Sequence, residues 1–184
     1  MVLLRAKCIL IGNSKVGKTA LAQTFHSEGT HFPKSYSLTT GVSTCVKTVQ
    51  IPDTPHSVEM YILDSSGNEL YSDLVVHYWE NPSMVALVYD VTDPQSLASC
   101  PMWLEKVRSQ KPEIAFPGAL IANKSDLTNR WVVNSEEGRR FADGKGLAYF
   151  ETSAKDSIDV DAPFLYLATE YYKLYEDRVR GLIN

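Results

Sequence analysis

The segment Gly12-Asn13-Ser14-Lys15-Val16-Gly17-Lys18-Thr19 fits the pattern GxxxxGK[ST] and follows a short apolar run at residues 8–11. Its chemistry is that of a phosphate cradle. Glycines let the backbone wrap an anion, successive N–H groups point inward, and the N-terminus of a following helix adds positive potential. Lys18 brings a full charge to the outer phosphates of a nucleotide, and the Thr19 hydroxyl is placed to coordinate a Mg²⁺ ion. With Ala20 in the first helical turn, Asn13, Ser14, Lys15, Val16, Gly17, Lys18, Thr19 and Ala20 form the candidate phosphate-binding set.

A phosphate cradle does not choose the base. Asn123-Lys124-Ser125-Asp126 fits NKxD and resembles the guanine-specificity motif of the GTPase superfamily. A carboxylate at Asp126 can accept from guanine N1–H and the 2-amino group, a donor pair that adenine lacks, and leaving it unpaired would cost roughly 2 to 5 kcal/mol. By this resemblance Lys124 lays its stem over the base and Asn123 ties the loop to the phosphate cradle. Glu151-Thr152-Ser153-Ala154-Lys155 resembles the motif whose backbone N–H, at Ala154, meets the guanine oxygen, so Ser153, Ala154 and Lys155 join the set. Taken alone, NKSD also fits a surface turn.

Phe32, Tyr36 and Thr39 stand in a Phe-x3-Tyr-x2-Thr spacing that resembles switch I of Rab-type small GTPases. The resemblance implies that Phe32 packs against guanine, Tyr36 covers the phosphates, and the Thr39 hydroxyl binds Mg²⁺ when a γ-phosphate is present. Asp64-Ser65-Ser66-Gly67-Asn68 occupies the place of the family's DxAGQ, which makes Thr19, Thr39 and Asp64 the metal set and Gly67 the γ-phosphate sensor. Lys18, Thr39, Gly67 and Asn68 are the candidate catalytic residues. Asn68 departs from the usual Gln that orients the attacking water. It is one methylene, about 1.5 Å, shorter, and misplacement of ~1 Å can cost ~10²-fold, so slow intrinsic hydrolysis is expected. Ser14 and Ser66, where Gly and Ala are common, also depart from the pattern.

The elements that must position these residues are legible as alternation. Short apolar runs at 8–11, 60–63, 84–89, 119–122 and 147–150 read as strands buried on both faces, and segments at 17–26, 94–109, 135–143 and 161–180 have helical spacing. A further strand at 42–51 connects through the turn-forming Pro52-Asp53-Thr54-Pro55, so one antiparallel strand is expected on an otherwise parallel sheet of six, with helices on both faces. The resemblance implies a three-layer P-loop fold of the Ras-like G-domain type spanning residues 1–184 as one domain.

At 184 residues with 44% hydrophobic and 22% charged residues and a formal charge of -4, the chain does not have the basic profile of a nucleic-acid binder. Cys8, Cys45 and Cys100 have no CxxC spacing, and His26, His31, His56 and His77 show no ligand spacing, so no zinc site or disulfide framework is expected. Nor is a leader or membrane span expected. The last five residues, Arg180 to Asn184, lack cysteine, so no prenyl anchor is expected there.

Residues 51–54, 57–59, 161–164 and 174–179 resemble the Rab-like GTPases of the intraflagellar transport B complex. The interswitch positions Thr44, Leu63 and Tyr78 replace the Phe, Trp and Tyr of ordinary Rabs, with only the tyrosine kept. The resemblance implies GTP or GDP with Mg²⁺ as ligands, intraflagellar transport protein 25 and other B-complex subunits as partners, and a place in the cilium or flagellum, the basal body and the cytoplasm. A trafficking Rab with its lipidated tail removed, and a non-catalytic scaffold holding GTP, stay open. In the last helix Phe164, Leu167, Tyr171 and Leu174 form one apolar stripe. Leu165, Ala168, Tyr172, Tyr175, Val179 and Leu182 form a second, expected to dock a partner or to join the core.

Overall fold

The computed structural model describes residues 1–112 and 115–183, so Asn184 of the cysteine-free tail lies outside the described residues. Six strands make one sheet in the order β2-β3-β1-β4-β5-β6: β1 (Leu3–Ile11), β2 (Val42–Gln50), β3 (Ser57–Ser65), β4 (Met84–Asp90), β5 (Gly118–Asn123) and β6 (Ala148–Thr152). β2 runs antiparallel to β3, while all other neighbours are parallel. The period-2 alternation of strands divides the core between the two faces. Cys8 and Leu10 of β1 pack with Leu21 and Phe25 of α1 (Lys18–His26) and Phe164 and Leu167 of α6 (Asp161–Ile183). Ile9 and Ile11 face Val75 of α2 (Ser72–Val76), Leu97 of α3 (Pro94–Ala98), Trp103 of α4 (Cys100–Arg108) and Ala142 of α5 (Ser135–Lys145).

The turn at residues 52–55 closes with Ile51 N–H donating to the His56 carbonyl at 2.9 Å, and Asp53 takes φ 59. Three expectations change. The helical segment 94–109 is two helices, because Pro101 has no N–H for the Leu97 carbonyl and its ring crowds the preceding turn. Burial on both faces holds for β4 and β5. The edge strand β6 is only half-buried over residues 148–151, since it has a neighbour on one side only.

The third correction concerns α6. Its fully buried residues, Phe164, Leu167, Ala168 and Tyr172, are drawn from both apolar stripes. The stripes adjoin around the helix, so one broad face of roughly 140° absorbs part of each. Tyr171 and Tyr175 pack against this core half-buried, and what remains exposed is Leu165 and, at the distal end, Leu182 at 86%. Tyr172 is fixed by stacking on His56, 5.3 Å between ring centres.

Candidate nucleotide site

The phosphate loop joins the carboxyl end of β1 to α1, where parallel strands open a crevice for ligands. Gly17 caps α1 at φ 99, and a Cβ there would meet the Asn123 amide. Gly12 sits at φ 140, where a Cβ would meet the Val88 carbonyl. Both glycines are therefore required by backbone conformation and by close approach. Lys15 adopts φ 68, a conformation that costs a side-chain-bearing residue roughly 1 to 2 kcal/mol, in keeping with a loop shaped for something other than its own stability.

Lys18 is buried, and its ammonium donates to the Gly12 and Asn13 carbonyls, each at 2.8 Å. Burial lowers its pKa to about 8, partly offset by Asp64. A cavity of about 380 Å³ opens beside it, lined by Ser14, Lys15, Gly17, Lys18, Thr19 and Ala20 from the loop and α1, by Phe32 through Thr39, and by Ser66 and Gly67. Within the covering segment Phe32 and Tyr36 are exposed at 41% and 63%, whereas Thr39 turns inward.

The three metal candidates meet. The Thr19 hydroxyl donates to Asp64 Oδ2 at 2.5 Å and lies 3.0 Å from the Thr39 hydroxyl. Asp64 Oδ1 is buried with no hydrogen-bond partner among the described residues. Burial raises the Asp64 pKa, while the Thr19 hydroxyl and Lys18 pull it down. An all-oxygen set with an orphaned carboxylate oxygen suits Mg²⁺ and its coordinated waters. Thr19 and Thr39 would ligate it and Asp64 would hold it, and the ion would supply charge neutralisation for a nucleotide's outer phosphates.

Gly67 lies directly against the phosphate loop. Ser14 N–H donates to its carbonyl at 3.1 Å, and a Cβ on Gly67 would strike the backbone of Gly12, Asn13 and Ser14. The Ser66 N–H donates to the Gly41 carbonyl at 2.8 Å, joining the segment after Thr39 to the end of β3. The Asn68 side chain is engaged locally. Its Oδ1 accepts from Leu70 N–H at 3.0 Å, capping a short 3-10 helix at Glu69–Tyr71. The sequence showed the shorter side chain but not this local bond, which is characteristic of Asn and unavailable at the same reach to Gln.

Behind the loop stand the base candidates. Asn123, 1% exposed, donates to the Val16 carbonyl at 2.9 Å and accepts from Thr152 Oγ1 at 3.1 Å and Ala154 N–H at 3.3 Å. One side chain thus joins the phosphate loop, the NKSD turn and the end of β6. Asp126 accepts from Ser153 Oγ at 2.8 Å, with the Lys155 ammonium 3.9 Å from its other oxygen. Lys124, at φ 70, pairs with Asp90 at 2.6 Å, and Asp90 in turn accepts from the Thr92 N–H and hydroxyl. None of Asn123, Lys124, Asp126, Ser153, Ala154 or Lys155 lines the phosphate cavity. They form an adjoining cluster linked to it through Asn123.

Several contributors escaped the sequence reading. Asp90 holds Lys124, while Ser99 and Trp103 hold Asn13 through bonds of 3.1 and 2.7 Å, and Trp79 binds Ser65 at 2.8 Å. Their partners stand 14 to 90 residues away, beyond any local spacing rule. Trp131 packs at the second core, and its indole N–H donates to the Ser125 carbonyl at 3.3 Å.

Comparison with known proteins shows the family of this chain. The Ras family pattern matches residues 7–173. The chain is 53% identical over 179 residues to the Homo sapiens intraflagellar transport protein 27 homolog, covering 97% of this chain and 96% of the human protein. It is 40% identical over 180 residues to Chlamydomonas reinhardtii intraflagellar transport protein 27, covering 96% and 88% of the two chains. Ras-related protein Rab-8B of Dictyostelium discoideum is 34% identical over 167 residues, covering 91% and 80%.

Proposed function

Because this chain belongs to the Ras family of small GTPases, in its intraflagellar transport protein 27 branch, we propose that it binds GDP and GTP with Mg²⁺ in one G domain. The observation that carries this is the meeting of Thr19, Thr39 and Asp64 beside Lys18, with Asp64 Oδ1 buried and without a hydrogen-bond partner among the described residues. Asp126 supplies the guanine preference, Lys18 and the loop amides hold the phosphates, and Thr39 and Gly67 respond to the γ-phosphate. The test is displacement of a fluorescent GDP analogue: GDP and GTP should compete, ADP and ATP should not, and EDTA should speed release. Competition by ATP at the same concentration as GTP would overturn it.

Hydrolysis is slow in this reading, because the Asn68 amide is both short and engaged with Leu70. Even Ras-type intrinsic turnover is only on the order of 10⁻⁴ s⁻¹, so the GTP form would last for hours. Single-turnover hydrolysis should be faster in Asn68→Gln than in the wild type. Rapid wild-type turnover would show that another group positions the water. The same Asn68 bond also supports a scaffold role in which bound nucleotide stabilises the fold and its assemblies by linkage.

The relatives' names place them in intraflagellar transport, and we extend that role to this chain. Intraflagellar transport protein 25 and other B-complex subunits are the proposed partners, in the cilium or flagellum. Tyr175 still packs against the core, and beyond it the half-buried Val179 and the exposed Leu182 at the distal end of α6 are the proposed docking residues. Val179→Asp should abolish pairing with intraflagellar transport protein 25 while leaving the melting temperature of the free chain within a few degrees. Intact pairing would refute that placement.

A further inference from the structure

Two tryptophans, Trp79 and Trp103, are 0% and 1% exposed and meet edge to face with ring centres 6.4 Å apart. Each spends its single polar atom on a different part of the nucleotide site. Trp79 Nε1–H donates to Ser65 Oγ at 2.8 Å, at the end of β3 two residues before Gly67. Trp103 Nε1–H donates to Asn13 Oδ1 at 2.7 Å, inside the phosphate loop. The other end of the Asn13 amide donates to Ser99 Oγ at 3.1 Å, so the side chain is held at both ends and cannot flip without losing a bond. The Asn13 carbonyl accepts from Lys18 at 2.8 Å.

These contacts close a ring. The Ser14 N–H to Gly67 carbonyl bond already joins the phosphate loop to the segment after β3 on the ligand side. The tryptophan pair joins the same two segments through the core, away from ligand. A hydrophobic core needs no indole N–H. A pair of tryptophans whose N–H groups both bond side chains of the site, Ser65 and Asn13, therefore does something that phenylalanines, which lack the donor, would not.

We infer that Trp103, braced by Trp79, is a positioning residue that sets the phosphate loop through Asn13 and so slows nucleotide release. This rests on the guanine-nucleotide reading above. Asn13 touches the ligand-binding backbone, and the tryptophans act through it and through Ser65.

The test is release of N-methylanthraniloyl-GDP from the full chain in Mg²⁺ buffer. Trp103→Phe keeps an aromatic ring but loses the N–H bond and part of the indole volume, and release should quicken about 2- to 10-fold, the range for one neutral buried hydrogen bond, with Leu104→Ala as the control for lost volume. Asn13→Ala should quicken release by a similar factor, and Trp103→Phe added to Asn13→Ala should change it no further, as two ends of one interaction require. Leu104→Ala opens a cavity in the same helix at a residue with no bond to Asn13, and it should melt earlier with wild-type release. Unchanged release in Asn13→Ala, multiplied effects in the double variant, or equal acceleration in Leu104→Ala would each overturn the inference. If Trp103→Phe does not fold, Asn13→Ala against Leu104→Ala still decides it. Wild-type protein that fails to bind the probe would instead sink the nucleotide reading and this inference together.

Discussion

Truncating Asn123 to alanine removes three bonds at once, to the Val16 carbonyl, the Thr152 hydroxyl and the Ala154 N–H. All three partners are buried, so water does not replace the lost amide freely. Each orphaned group costs about 1 to 3 kcal/mol, and taking the lower bound for all three gives a loss of about 3 kcal/mol. For a domain of this size one kcal/mol moves the melting temperature by ~2 to 4 °C, so the variant should melt about 6 to 12 °C earlier. Because the amide also fixes the phosphate loop relative to Asp126, GDP affinity should fall about 10-fold or more, or about 1.4 kcal/mol. Urea unfolding with and without a fixed excess of GDP separates the two effects, since the ligand term depends only on affinity. Thr152→Val, which removes a single bond, should show about one third of the stability loss. A shift under ~2 °C with unchanged GDP affinity would show that the two loops hold their places without Asn123.

Asp126→Asn should lower GDP affinity ~100-fold or more and confer binding of xanthosine diphosphate, because the amide now offers a donor where the carboxylate accepted; competition against labelled GDP reads both, and retained guanine preference would refute the role. Gly67→Ala drives a methyl group into the backbone of Gly12, Asn13 and Ser14, so thermal stability should fall by about 1 to 3 kcal/mol and binding of a non-hydrolysable GTP analogue should weaken more than that of GDP. Cys8 and Cys100 are buried, and burial pushes the Cys100 thiol up to about 12 and Cys8 higher still, so a thiol reagent at pH 8 should label neither rapidly until urea is added, with half-buried Cys45 reacting first. Fast labelling of Cys8 or Cys100 in the native protein would contradict their burial.

The local chemistry was legible in the sequence wherever it depends on residues within one short segment. The GxxxxGKT run, the NKSD turn, Ser153 and Ala154, and the alternation of apolar strands with helical segments all specify local backbone form. The observed sheet, with its one antiparallel strand, follows from them. Boundaries were less legible, because β1 and β3 extend well past their apolar centres into half-buried residues whose pairing is decided by neighbouring strands. The break at Pro101 was available from the sequence. The short α2 was not, since five residues give too little periodicity to separate from a loop.

Only the tertiary structure decided which distant groups meet. Thr19, Thr39 and Asp64 are 20 to 45 residues apart; the motif resemblance grouped them, but the bond from Thr19 to Asp64 Oδ2, the approach of Thr39 to Thr19 and the burial of Oδ1 with no partner among the described residues are properties of the folded sheet end. The engagement of Asn68 with Leu70, the absorption of Ala168 and Tyr172 into the core, and the tryptophan link to Asn13 likewise appear only once helices are placed. Sequence periodicity reports that a residue is apolar and on which side of its own element it lies. Its partner is set by strand order and helix packing, which sum contacts over the whole chain.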